Sequence, residues 1–208
     1  MLDVALPPTR PSAGRCSPSM LAHTLATWRQ AGGGDLWLFA YGSLIWKADF
    51  PVVERRPARV HGHHRALKMW SRVNRGTPER PGLVFALLPG GSCQGMVLRV
   101  PGSAVEEVLP RLWEREMPHP VYDPRWLRCH TTAGVVSGLA FTLSRHSPQF
   151  TGELTAEQLR QIFTHARGRY GSTFDYAHQT LRELRALGIR DVSLERLLLR
   201  AGCHDMTY

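Results

Sequence analysis

From residue 36 to about residue 145 the chain alternates short apolar runs with Gly- and Pro-containing breaks, the pattern of strands joined by turns. The runs 36–40, 58–70, 82–88, 93–100, 126–132 and 135–143 are bounded by Pro-Gly, Gly-Gly and Ala-Gly signals. A single helical period interrupts them, from Ser103 to Glu116. The last third reads as three helices, Thr155 to Arg167, Thr173 to Leu187 and Val192 to Ala201. Ahead of the strands, residues 1–19 are rich in Pro and Ser and are expected to be disordered or loosely packed. A short helix, Leu21 to Gln30, then precedes the Gly32-Gly33-Gly34 break. The division is therefore an N-terminal extension, 1–34, partly disordered with a short helix, and a folded domain, 35–208. Strands that follow one another without alternating helices exclude a doubly wound sheet. The expected class is α+β, with a small closed or half-closed β-barrel of about six strands flanked by helices.

Within the 103–116 helix, Ser103 and Glu106 have the spacing of a capping box. Val105, Val108, Leu109, Leu112 and Trp113 form the apolar stripe, and Pro110 predicts a kink. Glu116 continues that stripe, four residues past Leu112, so its carboxylate is expected to point inward, whereas Glu114 faces solvent. A carboxylate on a buried face is costly to ionise, which raises its pKa toward the range useful for proton transfer at neutral pH. Periodicity alone fits better an inward-leaning Glu at a frayed helix end, paired with an arginine. The run Leu36 to Lys47 holds a second anomaly, Tyr41-Gly42-Ser43-Leu44, which breaks an apolar β-prone stretch. Glycine there weakens a strand and marks close backbone approach to a ligand, with loop N–H groups free to face an anion.

Composition narrows the classes. At 208 residues with 43% hydrophobic content the chain can bury an ordinary core, and no apolar run approaches the ~20 residues of a membrane span. The N-terminus lacks the pattern of a secretory signal. Cys16, Cys93, Cys129 and Cys203 are far apart with no CxxC pair, as in a reduced, cytoplasmic protein. The formal charge of +9 raises nucleic acid as a partner, yet the 26 basic residues are dispersed and carry no nucleic-acid motif. His61, His63 and His64 lie in one strand, with 61 and 63 on a shared face, and no carboxylate or cysteine joins them at ligand spacing. No metal site is expected. No serine sits in a GxSxG elbow, and Cys93 and Cys129 fall in apolar strands, where a thiol is core rather than nucleophile.

Five segments together, FAYGSLIW (39–46), RGTPERPG (75–82), LWEREM (112–117), YDPRW (122–126) and GSTFDYAHQTLREL (171–184), resemble the ChaC family of γ-glutamylcyclotransferases in order and spacing. The resemblance runs from about Leu36 to Leu199. It implies a small barrel flanked by helices and cleavage of glutathione to 5-oxoproline and cysteinylglycine without cofactor or metal. It also implies roles: Tyr41, Gly42, Ser43 and Leu44 as the substrate loop, and Glu116 as the general acid/base. Tyr176 is implied to reach the site, with Arg75 a further substrate-binding candidate, although an arginine in a turn is usually solvated. Two departures are visible. Ala40 stands where the family often has glycine, and Met117 to Tyr122 contains Pro118 and Pro120 where relatives are more glycine-rich. The second bears on specificity beyond the γ-glutamyl group. The expected partner is thus a small molecule, with neither nucleic acid nor membrane, and the oligomeric state is left open. Two alternatives remain: a cyclotransferase for another γ-glutamyl amide or amine, and, more remotely, a basic nucleic-acid-binding protein without catalysis.

Overall fold

In the computed structural model, which describes residues 17–201, the chain begins with helix α1 (Ser17–Gln30) and strand β1 (Leu36–Ala40). A 3-10 turn (Ser43–Ile45) leads to β2 (Glu54–Ser71), β3 (Gly82–Val100), helix α2 (Gly102–Glu116), β4 (Asp123–Thr131) and β5 (Gly134–Thr142). Helix α3 (Ala156–His165), the two-residue strands β6 (Arg167–Gly168) and β7 (Gly171–Ser172), α4 (Thr173–Ala186) and α5 (Val192–Arg200) complete it. Strands β1 to β5 close a barrel in the order β1-β3-β2-β4-β5. Parallel pairing of β1 with β5, Trp37 opposite Gly138 and Leu38 opposite Leu139, seals it. Leu36, Leu38, Phe39, Leu83, Leu87, Leu98 and Leu139 are all but inaccessible and form its core. The α+β class and the barrel agree with the expectation.

The strand count does not: 82–88 and 93–100 are one strand, so the barrel has five rather than about six. Pro89-Gly90-Gly91-Ser92 reads as a turn, but here it is a corner in a continuous ladder. Pairing passes from His61–Ser92 to His63–Pro89, leaving Gly62 extra on β2 and Gly90 and Gly91 extra on β3. All three have positive φ, +77°, +100° and +71°, a conformation glycine adopts without a Cβ penalty. Bulges facing each other on paired strands let both bend together around the barrel without breaking the sheet. The same bulge interrupts the alternation that would place His61 and His63 on one face.

Helix α1 starts at Ser17, four residues ahead of the expected start, so 17–19 are helical; residues 1–16, expected to be disordered, and Cys16 and Cys203 lie outside the described residues. The helix is docked. Trp28 is buried and donates through Nε1 to Gly34 O at 2.8 Å, while Ser17 Oγ donates to Met117 O at 2.6 Å. Helix α2 carries the predicted buried stripe, Val105, Val108, Leu109, Leu112 and Trp113, and Pro110 lies inside it. The Ser103–Glu106 capping box is absent. Pro101 is the N-cap, so Ser103 is already within the first turn, and the Gly102 N–H donates instead to Asp35 Oδ1 at 2.9 Å. Glu106 pairs with Arg29 at 2.8 Å. Capping boxes do form at Thr155/Gln158 and Ser172/Asp175, at the starts of α3 and α4. Helix α3 ends two residues before Arg167, because Arg167 and Gly168 pair with Gly171 and Ser172.

Candidate active site

Strand β1 emerges from the barrel core at Ala40 and delivers Tyr41 and Gly42 to the start of the 3-10 turn. Ile45 N donates back to Gly42 O at 3.0 Å and Lys47 N to Ser43 O at 2.8 Å, which closes the loop on itself. The N–H groups of Gly42, Ser43 and Leu44 have no acceptor among the described residues, as at any helix start. Leu44 is buried, so its side chain anchors the loop in the core. Ala40, at 0% exposure, pairs with Met96 and leaves the loop intact.

Helix α2 ends at Glu116, beside this loop. Burial raises the Glu116 pKa, and the neighbouring Arg115 guanidinium, 3.3 Å from Oε1, pulls it partly back. The side chain keeps 19% of its surface exposed, so the carboxylate lies at a mouth rather than sealed inside. Its charge raises the pKa of three phenols, Tyr41, Tyr122 and Tyr176, which places all four groups within electrostatic reach of one another. Burial is the larger cause for each phenol and pushes Tyr176 up to about 12. All three therefore stay neutral hydrogen-bond donors at physiological pH. Tyr41 Oη donates to Phe141 O at 2.7 Å, which fixes its ring against the barrel end.

Tyr176 comes from the first turns of α4, and the structure ties it to the loop. A Cβ built on Gly42 would meet the Tyr176 hydroxyl at 2.8 Å, so glycine is what lets phenol and backbone approach. The ring is held by Phe85 at 5.2 Å and Trp46 at 6.0 Å between centroids. Arg75 is not the solvated turn residue its position suggests. It is half-buried, with its guanidinium 4.9 Å from the centroid of the Tyr176 ring and donating to Tyr170 O. Burial lowers its pKa from the arginine value. Its described contacts are with the Tyr176 ring and the Tyr170 carbonyl.

Sequence reasoning missed two members. Tyr122, only 6% exposed, sits beside Tyr41; it lay within a quoted motif but no periodicity marks it. Arg115 is placed by sequence on the flank of α2, where arginines are ordinarily solvated. Here it reaches Ser43 Oγ at 3.3 Å and Lys47 O at 2.6 Å, joining α2 to the loop. Cys93 and Cys129 are free thiols whose pKa burial raises, Cys129 to about 12, which keeps them protonated and unreactive. Among the described residues, no group of three or more His, Cys, Asp or Glu is placed to hold a metal ion. His61 stands edge-on to His130, and His64 Nδ1 lies 2.8 Å from Gly90 O.

Residues 36–201 match the family model described as ChaC-like protein. The chain belongs to the ChaC family. Among ChaC relatives, the Escherichia coli K12 glutathione-specific γ-glutamylcyclotransferase is 32% identical over 180 residues, covering 86% of this chain and 77% of that one. The rat glutathione-specific γ-glutamylcyclotransferase 1 is 29% identical over 175 residues, covering 82% and 75%. A yeast structure described as a γ-glutamylcyclotransferase specific to glutathione superimposes with a TM-score of 0.74, at 22% identity, over 84% of this chain and 99% of that one. That likeness establishes the shared fold. Among the described residues, no helix is long and apolar enough to cross a membrane.

Proposed function

We propose that this ChaC-family protein cleaves glutathione to 5-oxoproline and cysteinylglycine, with Glu116 as general acid/base. The observation that carries the reading is a carboxylate of raised pKa beside a loop with free N–H groups, with three neutral phenols around it. In the reaction the substrate's α-amine attacks its own γ-amide carbon. A C–N bond forms, closing a five-membered lactam, and the C–N bond to the cysteinyl nitrogen breaks. The attacking amine must lose a proton and the leaving nitrogen must gain one. Glu116 takes the first and returns it as the second, so the proton count closes without another reactant. Because the attack is intramolecular, the protein's main contribution is to fold the γ-glutamyl chain into its reactive shape.

The N–H groups of Gly42, Ser43 and Leu44 bind the anionic end of the γ-glutamyl group or the oxyanion that develops on its γ-carbon. Tyr122 and Tyr176 donate to its polar atoms, Tyr41, whose one proton is held by Phe141 O, offers its hydroxyl oxygen as an acceptor, and Arg75 holds Tyr176 in place. Ser43 binds and orients and does not act as a nucleophile. Its hydroxyl has an arginine, not a base, as partner. The free thiols of Cys93 and Cys129 fit a reducing, cytoplasmic setting. A second reading, another γ-glutamyl amide or amine as substrate, draws on Pro118 and Pro120, which stiffen the segment between Glu116 and Tyr122. The test is detection of 5-oxoproline across a panel of reduced glutathione, γ-glutamyl dipeptides and γ-glutamyl amines. Release from glutathione above the others supports the first reading. Release only from the others supports the second, and no lactam from any of them refutes both.

A further inference from the structure

On the second half of β2 the buried positions alternate as Arg65, Leu67 and Met69. An arginine thus occupies a place where the alternation demands an apolar residue. Its side chain is only 3% exposed, and such a charge is retained only where every donor finds an acceptor. Asp191, the N-cap of α5, receives Nε at 2.9 Å and Nη2 at 2.7 Å on Oδ2, while its Oδ1 accepts from Leu194 N at 3.0 Å. Nη2 also donates to Gln94 O at 3.1 Å. The remaining bond is the informative one. Nη1 donates to the carbonyl of Tyr41 at 2.8 Å.

The peptide that follows Tyr41 is planar and trans, so its C=O and the N–H of Gly42 point in opposite directions. Holding the carbonyl on the guanidinium therefore aims the Gly42 N–H away from Arg65. A flip of that peptide would replace this donor with a carbonyl oxygen that repels an anion. The hydroxyl of Tyr41 cannot prevent the flip, because its bond to Phe141 O restrains the ring and not the peptide. Lysine cannot substitute. One ammonium has no planar fork to serve Asp191, Gln94 and Tyr41 together.

We infer that Arg65 is a positioning residue that locks the Tyr41–Gly42 peptide with its N–H toward the γ-glutamyl group, and that Asp191 holds Arg65 for this task. The inference rests on the proposed cyclotransferase reading. Arg65→Lys, where it folds, is expected to lose at least about tenfold in kcat/KM for 5-oxoproline formation, since small misplacements in a site carry losses of this order. Because that variant breaks the bidentate hold on Asp191 and can fail to fold, Arg65→Met with Asp191→Asn, which leaves no unpaired charge behind, provides a second arm. It removes the ion pair as a unit and keeps an N-cap, with the same loss expected. Either folded variant retaining wild-type kcat/KM overturns the inference. So does a wild-type protein that shows no through-hydrogen-bond scalar coupling from Arg65 Nη1 to the Tyr41 carbonyl carbon. That coupling needs neither variant nor substrate. A wild-type protein that shows it yet forms no lactam refutes the proposed reaction while leaving the hold on the peptide demonstrated.

Discussion

Gly42→Ala tests the closeness of loop and phenol most directly. The added Cβ would lie 2.8 Å from the Tyr176 hydroxyl, against the 3.4 Å at which ordinary contact begins, so a shift of about 0.6 Å is required. Tyr176 is poorly placed to supply it, since its ring is packed by Phe85 and Trp46 and covered by the Arg75 guanidinium. Overpacking of this kind costs about 1–3 kcal/mol, and a misplacement of up to about 1 Å beside the substrate lowers kcat/KM by about 10- to 100-fold. The cause can be isolated. In Tyr176→Phe the hydroxyl is gone and the next atom, Cζ, is 4.0 Å from the new Cβ, an ordinary contact. Thermal or urea unfolding of the two single variants and the double should therefore show a favourable coupling of about 1 kcal/mol or more, the double being more stable than additivity allows. Initial rates of 5-oxoproline release give the kinetic arm for Gly42→Ala. Additive stabilities, or a Gly42→Ala protein with wild-type stability and turnover, would show that the hydroxyl does not crowd this backbone.

Three further substitutions have expected outcomes. Glu116→Gln should lose about 10²–10⁴-fold in kcat while keeping its fold by circular dichroism, the range for removing a general acid/base. Its stability against pH carries a sign as well. Burial raises the Glu116 pKa, so the folded state holds its proton to higher pH than the unfolded chain does, and wild-type stability falls as pH rises from the unfolded pKa through the folded one. Urea titrations in that window should find the fall smaller in Glu116→Gln. Arg115→Met should move the acid limb of the kcat/KM profile to higher pH, because it deletes the charge that holds the Glu116 pKa down; an unmoved limb would refute that pairing. Thr173→Val should cost about 1–3 kcal/mol in unfolding free energy, because it strands the buried Leu83 N–H that donates to Thr173 Oγ1 at 2.8 Å, where β3 meets α4.

Local chemistry explains which parts of this protein were legible before folding. Strand and helix periods, the inward lean of Glu116 and the break at Tyr41-Gly42-Ser43-Leu44 depend on neighbours within a few residues, and they follow from the chain alone. The family motifs, read in order, added the expected site roles. Features that arise between distant segments were hidden. Pro89-Gly90-Gly91 reads as a turn because its punctuation is local, and only the facing bulge at Gly62 turns it into a barrel corner. Ser103 and Glu106 have capping spacing, but Pro101 and the distant Asp35 and Arg29 decide how that helix begins. Tyr122, Arg115 and Arg65 carry no periodic mark of function beyond one buried arginine in an alternating strand. Barrel closure and the packing of α2 and α4 against it bring Tyr41, Tyr122, Tyr176 and Glu116 together and raise their pKa values by removing water, although only Tyr41 and Glu116 were marked by local pattern. Patterning determines which residues go inside; which of them meet there is set by chain closure, since contact between residues 41, 65, 116, 122, 176 and 191 is a property of topology and not of spacing.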